Sequence, residues 1–421
     1  MNFSLAHRSI LKSAILVGVF ASIVTPIRVL AGSDWTQWGG PQRDFMVEDS
    51  PKLADQWPKD GPPEKWSRKL GDGYATILVE GDRLYTMYRV ENDEFTICLN
   101  AKTGDTIWEH KNASPFTELM AQFGPGPSST PLIVGDRIFS VGTNMLLTCF
   151  NKSDGKVQWS HNLPKEYGAE VPGRGYSSSP VAFENTIILP VGGEGQCLVA
   201  FNQADGAIVW KKHDFDITHS SPILIKNAGQ TELVAFMGAE VIGLNPKTGD
   251  LLWSHPHHTQ YGANLATPLW TGDDLIYTSA AYDSGSRVIQ LVKEGDQTKP
   301  KELWYSRKVR IHHANAVRIG DYLYASSGDF GPAFFACINV KTGELAWRKR
   351  GFSKATCLLA DGKIILLDED GQLALIHADP KGMKVISQCQ PLERIAWSAP
   401  TLSGTTLYLR DRQTIKALDL K

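Results

Sequence analysis

The chain has 421 residues, 42% of them apolar and 21% charged, a balance ordinary for a folded protein rather than a disordered or fibrous one. Its formal net charge of −2 supplies no clustered positive surface, which excludes nucleic acid as a partner.

In chain order, the first feature is a secretory signal. MNFSLAHRSILK carries Arg8 and Lys12, SAILVGVFASIV is a short apolar run, and VLAGS places Ala31 as the last residue removed. The apolar run is too short to span a membrane, and Pro26 and Arg28 interrupt it. Ser33 stands where a lipoprotein would carry its acylated Cys, so no stable membrane anchor is expected. Loss of residues 1–31 removes Arg8, Lys12 and Arg28, leaving 40 basic against 45 acidic residues. Residues 32–56, including DWTQWGGPQRD, form a leader. Residues 57–421 form one repeat domain, and a monomer is expected.

That domain is written in one recurring unit. SSTPLIV, IFSVG, LLTCF and KVQWSHN around Gly155 are four short β-runs separated by turns. Units start near Tyr74, Ser128, Ser177, Ser220, Ala266, Ala314, Lys354 and Ser398. The turn before the fourth run reads NAKTGDTIW, NKSDGKVQW, NQADGAIVW, NPKTGDLLW and NVKTGELAW, from Asn100, Asn151, Asn202, Asn245 and Asn339. Asn closes such a turn through its side chain, and Gly104, Gly155, Gly206, Gly249 and Gly343 supply the left-handed backbone it needs. A Trp at one fixed place per sheet reads as a wedge against the next sheet. Trp66, Trp108, Trp159, Trp210, Trp253, Trp304 and Trp347 hold that place, with Ile386 in the seventh unit. Eight four-stranded units spaced at blade length predict an all-β, eight-bladed β-propeller. The last unit stops after three strands, so KWSRKL around Trp66 is expected to complete it and close the ring. Closure hides both sheet edges.

Cys98, Cys149 and Cys337 occupy a slot that Ala200 or Gly243 fills in other units. The six cysteines therefore read as buried thiols rather than a disulfide framework.

The repeat Ala/Asn-x-Lys-Thr-Gly-x-x-x-Trp resembles the tryptophan-docking repeat of the pyrroloquinoline-quinone (PQQ) propellers, over about residues 57–421. That family includes periplasmic quinoprotein alcohol dehydrogenases and the non-catalytic outer-membrane protein assembly factor. The resemblance implies a periplasmic or secreted propeller. Its catalytic members hold PQQ on the ring axis between a Trp floor and a disulfide of adjacent cysteines, with calcium on carboxylate and Asn and an Asp base. This sequence has no Cys-Cys pair and no matching Glu and Asn, so no catalytic position is carried over.

The propeller's turn face carries short first-to-second and third-to-fourth strand turns. Its loop face carries longer, varied connections, where binding groups usually lie. Those loops bring Tyr74, Arg174, Tyr176, His219, Asn264, His312, His313, Asn315 and Trp397 toward the channel mouth, the expected place for a small ligand. The pairs His257–His258 and His312–His313 invite a metal reading, but no carboxylate is tied to them by spacing, and no metal is assigned. DEDGQ, with Asp368, Glu369 and Asp370, reads as a solvated turn rather than a calcium loop. The expected function is a non-catalytic binding or scaffold module with an envelope protein partner or a small ligand. The alternative is a PQQ-dependent alcohol or sugar dehydrogenase with a diverged site, for which PQQ and calcium would be the cofactors.

Overall fold

Runs such as Leu132–Val134, Arg137–Val141 and Leu146–Asn151 become strands because nearly every side chain in them is buried between neighbouring sheets. The fourth run, Val157–Asn162, alternates exposed and half-buried positions, as an outermost strand should. The computed structural model describes Met1 and residues 34–122, 124–282, 284–295, 297–329 and 333–421. Two units separate along the chain, Met1–Ala31 and Gly32–Lys421, and the second carries the sheets. The export signal lies outside the described residues.

Eight sheets of four antiparallel strands form an eight-bladed propeller. Blade 1 begins at Leu78–Glu80, blade 2 at Leu132–Val134, blade 3 at Val181–Phe183 and blade 4 at Ile223–Asn227. Blades 5 to 8 begin at Leu269–Trp270, Ala316–Ile319, Thr356–Ala360 and Thr401–Ser403. Blade 8 takes its outer strand from Glu64–Lys69, whose Trp66 pairs with Ala417, so the ring closes through both ends of the domain.

Six indoles reach from one blade to the next. The Nε1–H groups of Trp66, Trp108 and Trp159 donate to the carbonyls of Ala101, Lys152 and Gln203 at 3.0, 3.0 and 3.1 Å. Those of Trp210, Trp304 and Trp347 donate to Pro246, Val340 and Asp379 at 3.0, 2.8 and 2.8 Å. Beneath five of these rings, all but Trp347, the turn glycine is under two constraints at once. Gly155 has φ +69°, and a Cβ there would run into the Trp108 ring; Gly249 has φ +74°, and its Cβ would lie 2.6 Å from Trp210. Only glycine meets both demands without strain.

Two joints depart from this pattern. Trp253 keeps the register, opposite Gly243, but blade 5 offers it no such turn. Its Nε1–H donates 2.7 Å to Glu232 of its own blade. In blade 7 the expectation for Ile386 is corrected by the pairing. A bulge moves Ser387 opposite Leu375, the place Trp holds elsewhere. The buried Trp57, at the start of the repeat domain, packs against that position, its backbone N–H on Ser387 Oγ at 2.9 Å.

The six cysteines are free thiols, Cys389 half-buried and the others buried. Burial pushes Cys98 up to about 11 and Cys149 up to about 12, so neither is a thiolate at neutral pH.

The leader threads the channel along the inner edges of the first strands. Trp35 exchanges backbone bonds with Val79 in blade 1, Thr36 accepts from Ile133 in blade 2, and Met46–Val47 pairs in parallel with Leu359–Ala360 in blade 7. The buried Arg43 guanidinium donates to the carbonyls of Pro180 and Pro222, in blades 3 and 4. Burial holds that guanidinium down to about 9.

Candidate functional site

The loops entering the first strands are fixed by hydroxyls that staple one blade to the next. Thr130 Oγ1 accepts from Thr76 N at 3.0 Å, Ser179 Oγ from Thr130 N at 2.9 Å, and Ser221 Oγ from Ser179 N at 2.9 Å. Each of these hydroxyl residues precedes the proline of a Ser/Thr-x-Pro motif, and proline is tolerated there because no ladder donor is needed. The loops therefore converge on the axis as a rigid rim.

Within that rim lies a cavity of about 620 Å³, with lining residues from all eight blades. Its volume falls in the range of small-molecule sites. On the leader side it is bounded by Trp38, whose Nε1–H donates 2.8 Å to Thr267 Oγ1 of blade 5.

Of the residues picked from the sequence, Tyr74, Arg174, His219, His312, His313 and Trp397 line this cavity. Tyr176, Asn264 and Asn315 do not. Tyr176 is buried, its hydroxyl 2.8 Å from the Pro190 carbonyl. Asn264 donates to the Met237 carbonyl at 2.7 Å. Asn315 bonds both backbone groups of Cys357, at 2.8 and 2.9 Å, stapling blade 6 to blade 7. Polar residues at buried strand ends serve backbone groups that would otherwise go unpaired.

The structure adds Trp38, Thr143, Tyr282, Asp329 and Lys354 to the lining. Tyr282 and Lys354 take φ +51° and +45°, conformations that cost a bulky side chain energy and concentrate at functional sites. The repeat marks Lys354 only as the start of a unit, and Tyr282 lies in a turn peculiar to its blade that no repeat signal marks.

One continuous polar and aromatic chain runs around the rim. The Tyr282 hydroxyl lies 2.6 Å from His312 Nε2, and His312 Nδ1 lies 2.8 Å from His313 Nδ1. The His313 ring packs 4.7 Å from Trp397, which in turn lies 5.2 Å from Tyr74. Trp397 Nε1–H donates to Glu369 at 3.2 Å, and Glu369 also accepts from Ser353 Oγ at 2.6 Å and pairs with Lys354 at 3.2 Å. This corrects the reading of DEDGQ as a solvated turn. Asp368 and Glu369 are buried, and only Asp370 is exposed. Burial works against the charge of Glu369, but Ser353, Lys354 and Trp397 outweigh it and hold the carboxyl below its usual range. Glu369 lies behind the lining; the carboxylate among the lining residues, Asp329, lies 3.5 Å from Arg310 and accepts the Tyr282 backbone N–H at 3.0 Å.

The histidines are kept neutral. Burial, helped by the charge of Arg174, lowers His219 to about 4, and its Nδ1 lies 2.7 Å from Ser177 Oγ. Burial and then Lys354 lower His312 to about 4; burial and then His312 drive His313 well below the ordinary range. Among the described residues, two buried polar atoms of the lining have no protein partner: His313 Nε2 and Thr143 Oγ1. His257 lies elsewhere, closed between Thr278 Oγ1 and Ser284 Oγ at 3.0 and 3.1 Å.

A family model described as outer membrane protein assembly factor BamB matches residues 91–349. Polyvinylalcohol dehydrogenase of Sphingopyxis sp. (strain 113P3) is 24% identical over 297 residues, 64% of this chain and 39% of that protein. The chain spans still less, 30%, of the polyvinylalcohol dehydrogenase of Pseudomonas sp. Outer membrane protein assembly factor BamB of Yersinia pestis is 20% identical over 373 residues, 86% of this chain and 79% of that protein. Among solved structures, BamB from Moraxella catarrhalis superposes with TM-score 0.62 at 14% identity, covering 85% of this chain and 98% of that one, which shows a shared fold.

The PQQ-and-calcium arrangement of the catalytic propellers does not fit the donors present. Among the described residues no three His, Cys, Asp or Glu side chains gather to hold a cation, and no adjacent cysteines face the axis. Both carboxylates of the rim already answer a cation, Glu369 to Lys354 and Asp329 to Arg310.

Proposed function

Because the chain belongs to the family described as outer membrane protein assembly factor BamB, we propose that it is an exported propeller of the cell envelope that binds rather than catalyses. It is released from its signal at Ala31, works in the periplasm or outside the cell, and meets an envelope protein partner on its loop face. No helix among the described residues is long and apolar enough to cross a membrane. The observation that carries the reading is the rim itself: a rigid cavity lined by neutral imidazoles, with Asp329 paired to Arg310 and Glu369 behind the lining paired to Lys354. Such a set orients a bound group and offers no carboxylate free to take a proton from an alcohol.

The test places a photo-crosslinking residue at Tyr261, exposed on the loop face, and separately at Ile208, exposed on the outer strand of blade 3. A single defined envelope adduct from position 261, and none from 208, is the expected outcome. Equal labelling from both positions, or none from either, would overturn the proposal.

A second reading is a dehydrogenase with a diverged site, favoured by the match to the polyvinylalcohol dehydrogenases and by a cavity on the ring axis carrying Arg174 and Lys354. Under it, adding PQQ, calcium and an alcohol to the purified protein would reduce a redox dye catalytically. Under the leading reading the dye stays oxidised.

A further inference from the structure

The lining of the cavity specifies a kind of ligand. Trp38 and Trp397 spend their indole N–H groups on Thr267 and Glu369, so toward the cavity they offer only carbon surface. Arg174, from the loop before blade 3, lines the cavity, and its charge acts on His219, Tyr282 and His312 of blades 4, 5 and 6. Lys354, paired with Glu369, lines the cavity on the opposite side, and the Arg43 guanidinium lies buried in the leader. An anion is therefore favoured within the cavity over a neutral or cationic guest.

Charge alone does not describe the rest. His219, His312 and His313 are neutral imidazoles, each able to donate at one nitrogen and accept at the other. Among the described residues, His313 Nε2 and Thr143 Oγ1 are buried lining atoms without a protein partner, on blades 6 and 2, which face each other across the ring. Whichever tautomer His313 takes, its Nε2 is left with a hydrogen bond to make, because Nδ1 is engaged by His312. Leaving such atoms empty is costly, and a ligand that carries hydroxyl groups relieves that cost.

We propose that the cavity takes an acidic sugar of the uronate kind, its carboxylate on Arg174, its hydroxyls on His313 Nε2 and Thr143 Oγ1, and its carbon face against Trp397. This rests on the cavity being a binding site, as in the proposed function. An aromatic carboxylate would satisfy the cations and strand both polar atoms. A neutral hexose would do the reverse. The same chemistry could come from a free uronate or from the terminal residue of an acidic polysaccharide, since the leader closes the floor and leaves the loop face open.

Calorimetric titration of the full exported chain with galacturonate, galactose, benzoate and tetragalacturonate tests it. Galacturonate should bind saturably, with galactose and benzoate each at least tenfold weaker. Arg174→Gln should weaken galacturonate at least tenfold and leave galactose unchanged. Thr143→Val, nearly isosteric, should weaken galacturonate about tenfold without lowering the melting temperature of the free protein. A structural hydroxyl would give the opposite pattern, a changed melting temperature and unchanged affinity, and would overturn the assignment. Tetragalacturonate binding as tightly as galacturonate supports the proposal with a polymer end as the source; binding of the monomer alone supports it with the free acid. No saturable heat from galacturonate, or benzoate matching it, sinks the inference. If that happens while the Tyr261 crosslink persists, the envelope-binding reading stands; loss of both takes both down.

Discussion

The joint between blades 1 and 2 and the joint between blades 4 and 5 solve one problem in two ways. Both place a Trp at the same register, Trp108 opposite Cys98 and Trp253 opposite Gly243. At the first, the neighbour's turn offers a backbone carbonyl and a glycine flat enough to lie under the ring. At the second, the strands of blade 5 run on through a long hairpin, Gly285–Glu294 and Gln297–Ser306, and no such turn exists. A fully buried Glu232 replaces it, bonding Trp253, Asn227 and Thr298 and lying 3.7 Å from Lys293. The wedge is thus set by its own strand, whereas its hydrogen-bond partner is negotiable. What is not negotiable is that the buried indole N–H has one.

Trp108→Ala breaks the first joint outright and should cost about 3–5 kcal/mol, through lost burial and the cavity left against Phe150 and Tyr85. Urea unfolding that shows less than about 1 kcal/mol would mean the ring carries little of the joint.

The second joint is exposed to a subtler change. Glu232→Gln keeps the volume but lets an amide N–H face either an indole or an amide donor, which should cost about 2–3 kcal/mol. The same measurement giving a neutral or stabilising effect would show that the carboxylate is dispensable there.

The smallest effect is one of pH and belongs to the second joint only. Burial, with Arg287 and His255 nearby, lowers His257 to about 3. The unfolded chain takes a proton at about 6.5 that the folded chain refuses until about 3. Stability from His257 is therefore complete above 6.5 and falls as pH drops from there toward 3. Asp44 and Asp368, raised to about 6 by burial, act in the opposite sense: the fold gains from them as pH falls from about 6 to 3.8. The cavity histidines His219, His312 and His313, also lowered by burial, add to the loss that His257 causes, so the carboxyls offset the acid limb only in part. His257→Gln removes the first contribution, so its destabilisation at pH 7 should shrink by on the order of 1–2 kcal/mol at pH 4. A penalty independent of pH would refute the assignment.

The blade architecture was legible because it is local and repeated. Asn, Gly and Trp at fixed spacing encode a turn and a wedge eight residues apart, and each copy corroborates the others. Even there the seventh unit misled, since a bulge at Ile386 shifts Ser387 into the Trp register and nothing in the local sequence announces it. The rim was legible in part. Loops peculiar to each blade pointed to Arg174, His219, His312 and Trp397, but the sequence could not separate them from Tyr176, Asn264 and Asn315, polar residues of the same loops that serve buried backbone groups. The leader was opaque. DWTQWGGPQRD has no period, and its contacts lie at separations such as Arg43 to Pro222 and Trp38 to Thr267.

Sequence by itself determined the number of blades, the turn type and the closure through Trp66, because these follow from short-range patterns that strands and turns impose on any chain. Tertiary structure alone decided that the leader fills the channel, that Trp38 floors a blind cavity, and that Glu369 binds Lys354 and Trp397 instead of water. The physical reason is that burial is a property of the assembled ring. A carboxylate or an imidazole acquires its charge state and its partner only when eight blades bring distant segments around one axis.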